Sequence, residues 1–111
     1  QRALDPADAA GRSFELNFAV LPALARNKDP DPVFFLAGGP GQSAIDLAGA
    51  LSRLLARLRT RRDVVLVDQR GTGQSAPLVC DNDAASLPLR DSTDPQRQVQ
   101  RALDCLRKLQ T

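Results

Sequence analysis

The sequence predicts an α/β fold, and three consecutive segments are the basis of that prediction. Residues 33–37 and 64–67 are continuous apolar runs of strand length, which are typical of strands in a sheet covered on both faces. Between them, residues 43–59 have leucines at helical spacing, with charged residues elsewhere on the helical wheel. A strand, a crossover helix and a second strand form a βαβ unit, so we expect the two strands to be parallel.

Elements on either side extend this order. Residues 13–21 partly alternate apolar and polar side chains, which predicts a half-buried strand. Residues 69–94 are rich in Gly, Pro, Asp, Asn and Ser and predict a long loop, with at most a short strand near Leu78. A final helix is predicted from Asp94 as N-cap, with Pro95 at the first helical position. The whole order predicts a mainly parallel sheet with crossover helices.

Composition indicates how the chain is organised into domains. Residues 1–12 are polar without a clear period, which indicates a loose leader, whereas residues 13–111 form one segment. Hydrophobic residues make up 42% of the chain and charged residues 25%, as in ordinary globular proteins. The chain has four Phe and neither Trp nor Tyr, so it has few large side chains with which to close a core alone. This favours a fragment that packs against further protein.

Charge and hydropathy argue against two kinds of partner. The formal net charge is only +2, without the concentrated basic face that nucleic-acid binding requires. The chain has no apolar run of about 20 residues, so no membrane span is predicted. Because it begins at Gln1 rather than Met, we expect any targeting peptide to have been removed. Four arginines are expected to complement the dipole at the end of the predicted helix: Arg57, Arg59, Arg61 and Arg62.

The first motif with chemical meaning is a glycine-rich turn between the first apolar run and the helix. It reads Gly38, Gly39, Pro40 and Gly41. Glycines leave backbone amides accessible, and the start of a helix adds partial positive charge, so this turn suits a developing negative charge. The turn is therefore either an oxyanion hole or a tight strand-to-helix connection without a ligand.

A second motif follows the second apolar run, where residues 68–75 read Asp-Gln-Arg-Gly-Thr-Gly-Gln-Ser. The two motifs, separated by one crossover helix, resemble those of α/β-hydrolases of the proline iminopeptidase and tripeptidyl aminopeptidase type. In that family they read roughly His-Gly-Gly-Pro-Gly and Asp-Gln-Arg-Gly-x-Gly-x-Ser. The resemblance extends from about Phe14 to the end of the chain and implies the N-terminal part of a catalytic domain. Ala37 departs from it, because many relatives have His there; this removes a side chain but no backbone donor.

The resemblance implies a role for each motif. Gly39 would supply one oxyanion-hole amide, and three neighbours would shape that loop: Gly38, Pro40 and Gly41. The second motif would brace the floor of the site through four structural residues: Asp68, Arg70, Gly71 and Gly73. The implied activity is that of a serine exopeptidase that releases residues from peptide N-termini by acyl transfer, without metal or cofactor. Esterase or lipase-like activity on the same fold remains the alternative.

The residues needed for catalysis by this chain alone are missing. The sequence contains no His, so no Ser-His-Asp triad can be assembled from it. Residues 41–45 and 73–77 begin like the nucleophile motif Gly-x-Ser-x-Gly but lack its last glycine, so neither Ser43 nor Ser75 is predicted to be the nucleophile. We expect the Ser, Asp and His of the triad downstream, in the remainder of the same hydrolase. That remainder and a peptide substrate are the expected partners.

Two cysteines allow two interpretations. If Cys80 and Cys105 are oxidised, they close a loop of about 25 residues and stabilise the fold by roughly 3.5 kcal/mol. This interpretation is favoured, and it indicates a secreted or periplasmic protein. If they are reduced, they are two small apolar side chains in a cytoplasmic protein. Two thiolates without His make a poor ligand set, so no metal site is predicted.

Two functions from other classes compete with the hydrolase. Residues 71–76 fit the dinucleotide fingerprint Gly-x-Gly-x-x-Ala, but that fingerprint must open a helix, and Pro77 together with the polar stretch beyond it prevents one. The other rival is a binding or scaffold module that kept the fold and lost catalysis. A Gly-x-Ser-x-Gly motif with Asp and His in a companion chain would distinguish the hydrolase from that module.

Overall fold

The computed structural model describes residues 1–80, 88 and 93–110 and divides into two compact units. The first unit is Gln1–Pro77 and the second is Leu78–Thr111. The first contains all five described strands, in chain order β1 (Arg2–Ala3), β2 (Ser13–Phe14), β3 (Phe18–Leu21), β4 (Val33–Leu36) and β5 (Val64–Val67). Its α-helix is α1 (Ala48–Leu54), and the second unit contains α2 (Pro95–Gln110).

The central sheet has three strands in the order β3-β5-β4. Strands β4 and β5 are parallel, with Val33 opposite Val64 and Leu36 opposite Val67, so the predicted βαβ unit is confirmed. Strand β3 runs antiparallel to β5 on its other side. The described sheet is therefore mixed, where the sequence led us to expect a mainly parallel one.

The predicted strand over residues 13–21 is two strands with different partners. Ser13–Phe14 pairs with Arg2–Ala3 in a separate two-stranded sheet, and Phe18–Leu21 joins the central sheet. The break falls at Asn17, whose backbone N–H donates to Ser75 Oγ at 2.8 Å and whose carbonyl accepts from the Asp68 amide at 3.1 Å. Tertiary contacts thus take the place of ladder hydrogen bonds. Residues 1–12, expected to be a loose leader, contribute strand β1.

The predicted helix over residues 43–59 is also interrupted. A 3₁₀ turn, Ile45–Leu47, leads into α1, which ends before Leu55, and a second 3₁₀ turn follows at Leu58–Thr60. The carbonyls of Arg59 and Thr60 accept hydrogen bonds from the amides of Leu24 and Ala25. These contacts hold the end of the crossover against the segment after β3. In a continuous helix these carbonyls would instead accept hydrogen bonds from amides of the same helix.

Arg59, Arg61 and Arg62, expected to complement the helix dipole, have other partners. Arg61 and Arg62 lie 3.1 and 3.3 Å from the Asp29 carboxylate, and Arg62 also lies 3.2 Å from Asp31. Arg59 donates to the carbonyl of Pro22 at 3.3 Å. Three of the four arginines therefore contact the connection between β3 and β4, and Arg61 and Arg62 do so as ion pairs.

The core of the first unit lies between α1 and one face of the central sheet. It is built on four buried residues, Ala44, Leu51, Val64 and Leu66, with partly buried side chains such as Leu21 and Phe35 packed around them. The opposite face of the sheet is uncovered in the described part of the chain: Phe18 is 62% exposed and Phe34 64%. The expectation that both faces of β4 are covered is therefore not met by the residues that the structure describes.

The second unit contains the predicted terminal helix and no strand among its described residues. Helix α2 begins at Pro95, and Asp94 caps it by accepting a hydrogen bond from the Gln96 amide at 2.9 Å, as predicted. The predicted short strand near Leu78 is wrong, because residues 77–80 have no regular structure. Beyond residue 80, the predicted loop lies outside the described residues except at residues 88, 93 and 94. Among the described helices, none is long and apolar enough to cross a membrane.

Candidate functional site

The two motifs of the sequence meet at one edge of the central sheet. Strands β4 and β5 are parallel and end side by side at Leu36 and Val67. The glycine-rich turn follows β4, and the loop of residues 68–75 follows β5, so both loops leave the sheet from its carboxyl edge. Ligand sites of open α/β sheets are commonly located at this edge.

The glycine-rich turn is exposed and its amides are unoccupied. Gly39 and Gly41 both have φ of +88°, a left-handed conformation that glycine adopts without strain. Among the residues that the structure describes, the backbone N–H groups of Gly38, Gly39 and Gly41 donate no hydrogen bond. A Cβ placed on any of the three would meet nothing within 4 Å. The turn therefore presents backbone donors with open space beside them.

Gly38 differs from its two neighbours. Its φ is not positive, and no described atom lies close to the position of a Cβ. Nothing in the described structure therefore requires glycine at this position. Close approach of a ligand or of further protein would supply such a requirement.

Asp68 is the buried centre of the second loop, with only 1% of its surface exposed. Its Oδ1 accepts from the Ser43 hydroxyl at 2.8 Å and from the Ile45 amide at 3.2 Å, and its Oδ2 accepts from the Gln74 amide at 3.4 Å. The carboxylate thereby joins its own loop to the segment that directly follows the glycine-rich turn. This contact is the physical connection between the two motifs.

The environment of Asp68 favours its charged form. Burial raises the pKa of the carboxyl, but hydrogen bonds from the Ser43 hydroxyl and from the amides of Ile45, Gln74 and Ala44 lower it by more. The net result is a pKa below the ordinary value for Asp. Asp68 is therefore an ionised hydrogen-bond acceptor at neutral pH, a state that suits a structural anchor better than a proton donor.

Two glycines shape the loop around Asp68. Gly73 has φ of +51°, and a Cβ on it would lie 2.5 Å from Asp68 Cγ and 3.0 Å from Ser43 Oγ. Gly71 has φ of +88°, and its amide donates to the carbonyl of Ser75 at 2.8 Å. Gly73 is thus required by both conformation and space, and Gly71 by conformation.

The two serines that resemble nucleophiles are buried and hydrogen-bonded. Ser75 has no exposed surface, and its hydroxyl accepts from the Asn17 amide at 2.8 Å. Ser43 is also buried; its hydroxyl donates to Asp68 and accepts from the Asp46 amide at 3.1 Å. Neither hydroxyl is accessible for attack on a substrate.

Arg70 contacts the backbone of the N-terminal segment. Its side chain is directed to the N-terminal segment, where it donates to the carbonyl of Leu4 at 2.6 Å. It also lines an open depression of about 510 Å³ together with Arg2 and Phe14. The residue therefore fastens the hairpin of β1 and β2 to the loop after β5.

The dinucleotide fingerprint does not have the local structure that it needs. The segment Gly71–Ser75 closes on itself, with the Ser75 amide donating to Thr72 at 2.8 Å and Thr72 bridging to Ser75. Residues 76–80 contain no helix. A helix N-terminus pointing at a pyrophosphate is thus absent from this part of the chain.

The cysteines lie together in the second unit. Cys80 and Cys105 form a disulfide, with Cα atoms 5.5 Å apart, inside the usual range for this bond. The bond attaches residue 80 to helix α2. Metal ligands are not clustered: no group of three or more His, Cys, Asp or Glu side chains occurs among the described residues.

Sequence reasoning missed two residues of this site. Ser43 matches only an incomplete nucleophile motif in the sequence, yet its hydroxyl joins the two motifs in the structure. Its position three residues before Asp46, at the start of a helical segment, is the pattern of a capping serine and could have indicated this role. Asn17, which bonds to Ser75 and to the carbonyl of Gln74, had no local signal.

Comparison with known proteins does not extend these observations. No protein-family model, curated protein sequence or solved structure matches this chain. The hydrolase hypothesis therefore depends on the two motifs and on the geometry described above.

Proposed function

We propose that residues 13–111 are the N-terminal part of a serine hydrolase with the α/β-hydrolase fold, an exopeptidase acting on peptide N-termini. Gly39 contributes one amide of its oxyanion hole. The observation that supports this most directly is the exposed, unbonded amide of Gly39, in a turn between a parallel strand and a helical segment. In α/β-hydrolases one oxyanion donor comes from a loop of this type, and the other is the amide after the nucleophile.

The chemistry of acyl transfer gives this amide its function. A downstream Ser hydroxyl attacks the peptide carbonyl while a His takes its proton, and negative charge develops on the carbonyl oxygen. The Gly39 N–H stabilises that charge without having to reorient, because the turn already holds the amide unpaired. The His then protonates the departing amine, and water hydrolyses the acyl-enzyme to restore the Ser.

The remaining catalytic groups come from elsewhere in the enzyme under this proposal. The chain has no His, and the hydroxyls of Ser43 and Ser75 are buried and occupied by structural hydrogen bonds. The uncovered sheet face, with Phe18 and Phe34 exposed, is apolar surface that the remainder of the hydrolase would bury. Both features are consistent with a segment that functions only within a larger enzyme.

The disulfide supports an exported enzyme. Disulfides persist in oxidising compartments, so the Cys80–Cys105 bond favours a secreted or periplasmic location over the cytoplasm. Substrate preference is assigned to peptides by the family resemblance, and esters are the alternative that the experiment below distinguishes.

The test uses the polypeptide that contains this segment. We expect a fluorophosphonate probe to label one serine outside residues 1–111, and we expect release of p-nitroaniline from amino-terminal proline or tripeptide p-nitroanilides. The 111-residue chain alone should show neither. Turnover of p-nitrophenyl esters without turnover of the anilides would favour the esterase. An absence of both labelling and turnover in the full polypeptide would contradict the proposal.

A Gly39→Ala variant tests the oxyanion loop within the same assay. Its φ of +88° disfavours Ala, so the amide shifts and kcat should fall by roughly 100-fold, the size of effect seen when one oxyanion donor is lost. Gly49→Ala is the matched control, because Gly49 lies in α1 with open space around it. Its activity should equal that of the wild type.

A further inference from the structure

Ser43 occupies a junction between the two loops at the carboxyl edge of the sheet. It lies two residues after Gly41, the last glycine of the exposed turn. Its hydroxyl donates a hydrogen bond to the Asp68 carboxylate and accepts one from the backbone amide of Asp46. One hydroxyl thereby connects the C-terminal end of the glycine-rich turn both to the following helical segment and to the loop after β5.

The carboxylate that receives this hydroxyl is itself immobilised. Asp68 is buried, and its second oxygen accepts the Gln74 amide. Its own backbone amide donates to Asn17, which is bonded in turn to Ser75 and Gln74. Ser43 is therefore hydrogen-bonded to a carboxylate whose position is fixed by several other hydrogen bonds.

The Ser43–Asp68 contact is closely packed by the loop after β5. A Cβ on Gly73 would lie 3.0 Å from Ser43 Oγ, so the loop after β5 closes directly over the hydroxyl. The glycine-rich turn, in contrast, is exposed, and its glycine amides make no hydrogen bond in the described structure. No described hydrogen bond from these glycine amides fixes the Gly39 amide, so its position also depends on the residues that hold the two ends of the turn.

We propose that Ser43 is a positioning residue for the oxyanion loop: its hydrogen bond to Asp68 holds the Gly39 amide in place. This inference rests on the proposed function for its catalytic consequence, but the ordering of the loop can be measured without it. The strand Val33–Leu36 holds the start of the turn, and Ser43 holds its end. Removing the hydroxyl removes the contact to Asp68 that lies nearest to Gly41, and leaves the backbone amides of Ala44 and Ile45 as the donors to Asp68 from this segment.

The test compares Ser43→Ala with Ser52→Ala in the polypeptide that contains this segment. Ser52 is a matched control, because its hydroxyl also donates a hydrogen bond, to the Gly49 carbonyl at 2.9 Å within α1, away from both loops. The first measurement is the ¹⁵N relaxation of selectively labelled glycines. We expect order parameters at Gly39 and Gly41 to fall in Ser43→Ala and to be unchanged in Ser52→Ala.

The second measurement concerns catalysis by the same variants. In Ser43→Ala, kcat should fall by roughly 10-fold to 100-fold with KM within about twofold, because a displaced donor weakens only the transition state. The affinity for a peptide aldehyde, whose adduct has an oxyanion, should fall in parallel with kcat. A purely structural role would lower the thermal midpoint and leave kcat and aldehyde affinity unchanged at temperatures where the variant is folded.

The outcomes separate the two proposals. Unchanged glycine order parameters in Ser43→Ala would overturn the positioning role, whatever the activity. An ordered wild-type loop that loosens in Ser43→Ala, in a polypeptide without any hydrolase activity, would support the positioning role and overturn the proposed function. Loosening of the loop with unchanged kcat and aldehyde affinity would overturn the assignment of the oxyanion hole to Gly39.

Discussion

Gly73 lies against the Asp68 carboxylate so closely that a Cβ on residue 73 would come within 2.5 Å of Asp68 Cγ. This relationship explains why the loop after β5 has a glycine at this position, and φ of +51° adds a conformational reason. It also makes the buried carboxylate the point at which several predictions can be tested.

Gly73→Ala should destabilise the fold by about 3 kcal/mol, because steric overlap with Asp68 adds to left-handed backbone strain. Urea denaturation measures the change. Gly49→Ala, in α1 with open space around it, is the control and should be neutral or slightly stabilising. Equal stability of the two variants would contradict the described packing.

Asp68→Asn should cost about 2–3 kcal/mol at neutral pH, because the amide nitrogen cannot accept the hydrogen bonds that the carboxylate oxygens accept. Thermal or chemical unfolding at pH 7 measures the loss. Asp31→Asn is the control. Asp31 also pairs with an arginine but is exposed, so a clearly smaller effect is expected.

The pH dependence of stability follows from the direction of the Asp68 shift. Its pKa is lower in the folded state than in the unfolded chain, so its stabilising contribution is fully present above the ordinary Asp value, near 4. The contribution is lost as the pH falls through the lowered value. Asp31 and Asp63, whose pKa values are lowered through hydrogen bonds from Arg62 and Lys28, act in the same direction.

Unfolding free energies measured from pH 7 to pH 2 should therefore decrease with acidification below pH 4. The decrease should be shallower in Asp68→Asn, with the residual slope due to other carboxylates. An identical slope in the variant would show that Asp68 is not anchored by its charge.

Reduction of the Cys80–Cys105 bond should destabilise the second unit by roughly 3.5 kcal/mol, because the unfolded chain regains the entropy of the closed loop. Proteolysis within residues 81–94 and circular dichroism of α2, with and without reductant, measure this effect. Iodoacetamide should modify both cysteines only after reduction. Modification of both thiols in untreated protein would contradict the bond and with it the argument for export.

Phe34→Ala tests whether further protein covers the exposed sheet face. Phe34 is 64% exposed in this chain, and surface substitutions usually change stability by less than about 0.5 kcal/mol. If the remainder of a hydrolase packs on this face, the loss in the full polypeptide should be about 3–5 kcal/mol. Leu24→Ala, on the turn after β3 and 73% exposed, is the comparison. A small effect for both substitutions would indicate that the face stays uncovered.

Much of the local structure could be predicted from residue patterns. The apolar runs became β4 and β5 in parallel, and Asp94 with Pro95 opened α2 where expected. These features depend on side chains close together in sequence, so their periodicity and capping chemistry are visible there. The glycines at 39 and 41 were likewise predicted to form an exposed turn, and both have positive φ.

The errors arise where distant contacts override local preference. Residues 13–21 read as one strand, but Asn17 bonds to the loop at Ser75 and breaks the ladder. The leucine pattern of residues 43–59 suggests one helix, but two carbonyls after α1 accept hydrogen bonds from the amides of residues 24 and 25. Arg61 and Arg62 were expected to complement the helix dipole, but they pair with Asp29 and Asp31. None of these partners is near in sequence.

By itself, the sequence determined the βαβ unit, the glycine-rich turn and the absence of His, because each is a property of adjacent residues or of composition. Only the tertiary structure decided that Ser43, Asp68 and Gly73 form one buried contact between the two loops. The physical reason is that parallel strands place the ends of separate segments side by side. Hydrogen bonds and steric fit across that edge depend on coordinates in space, which no local pattern encodes.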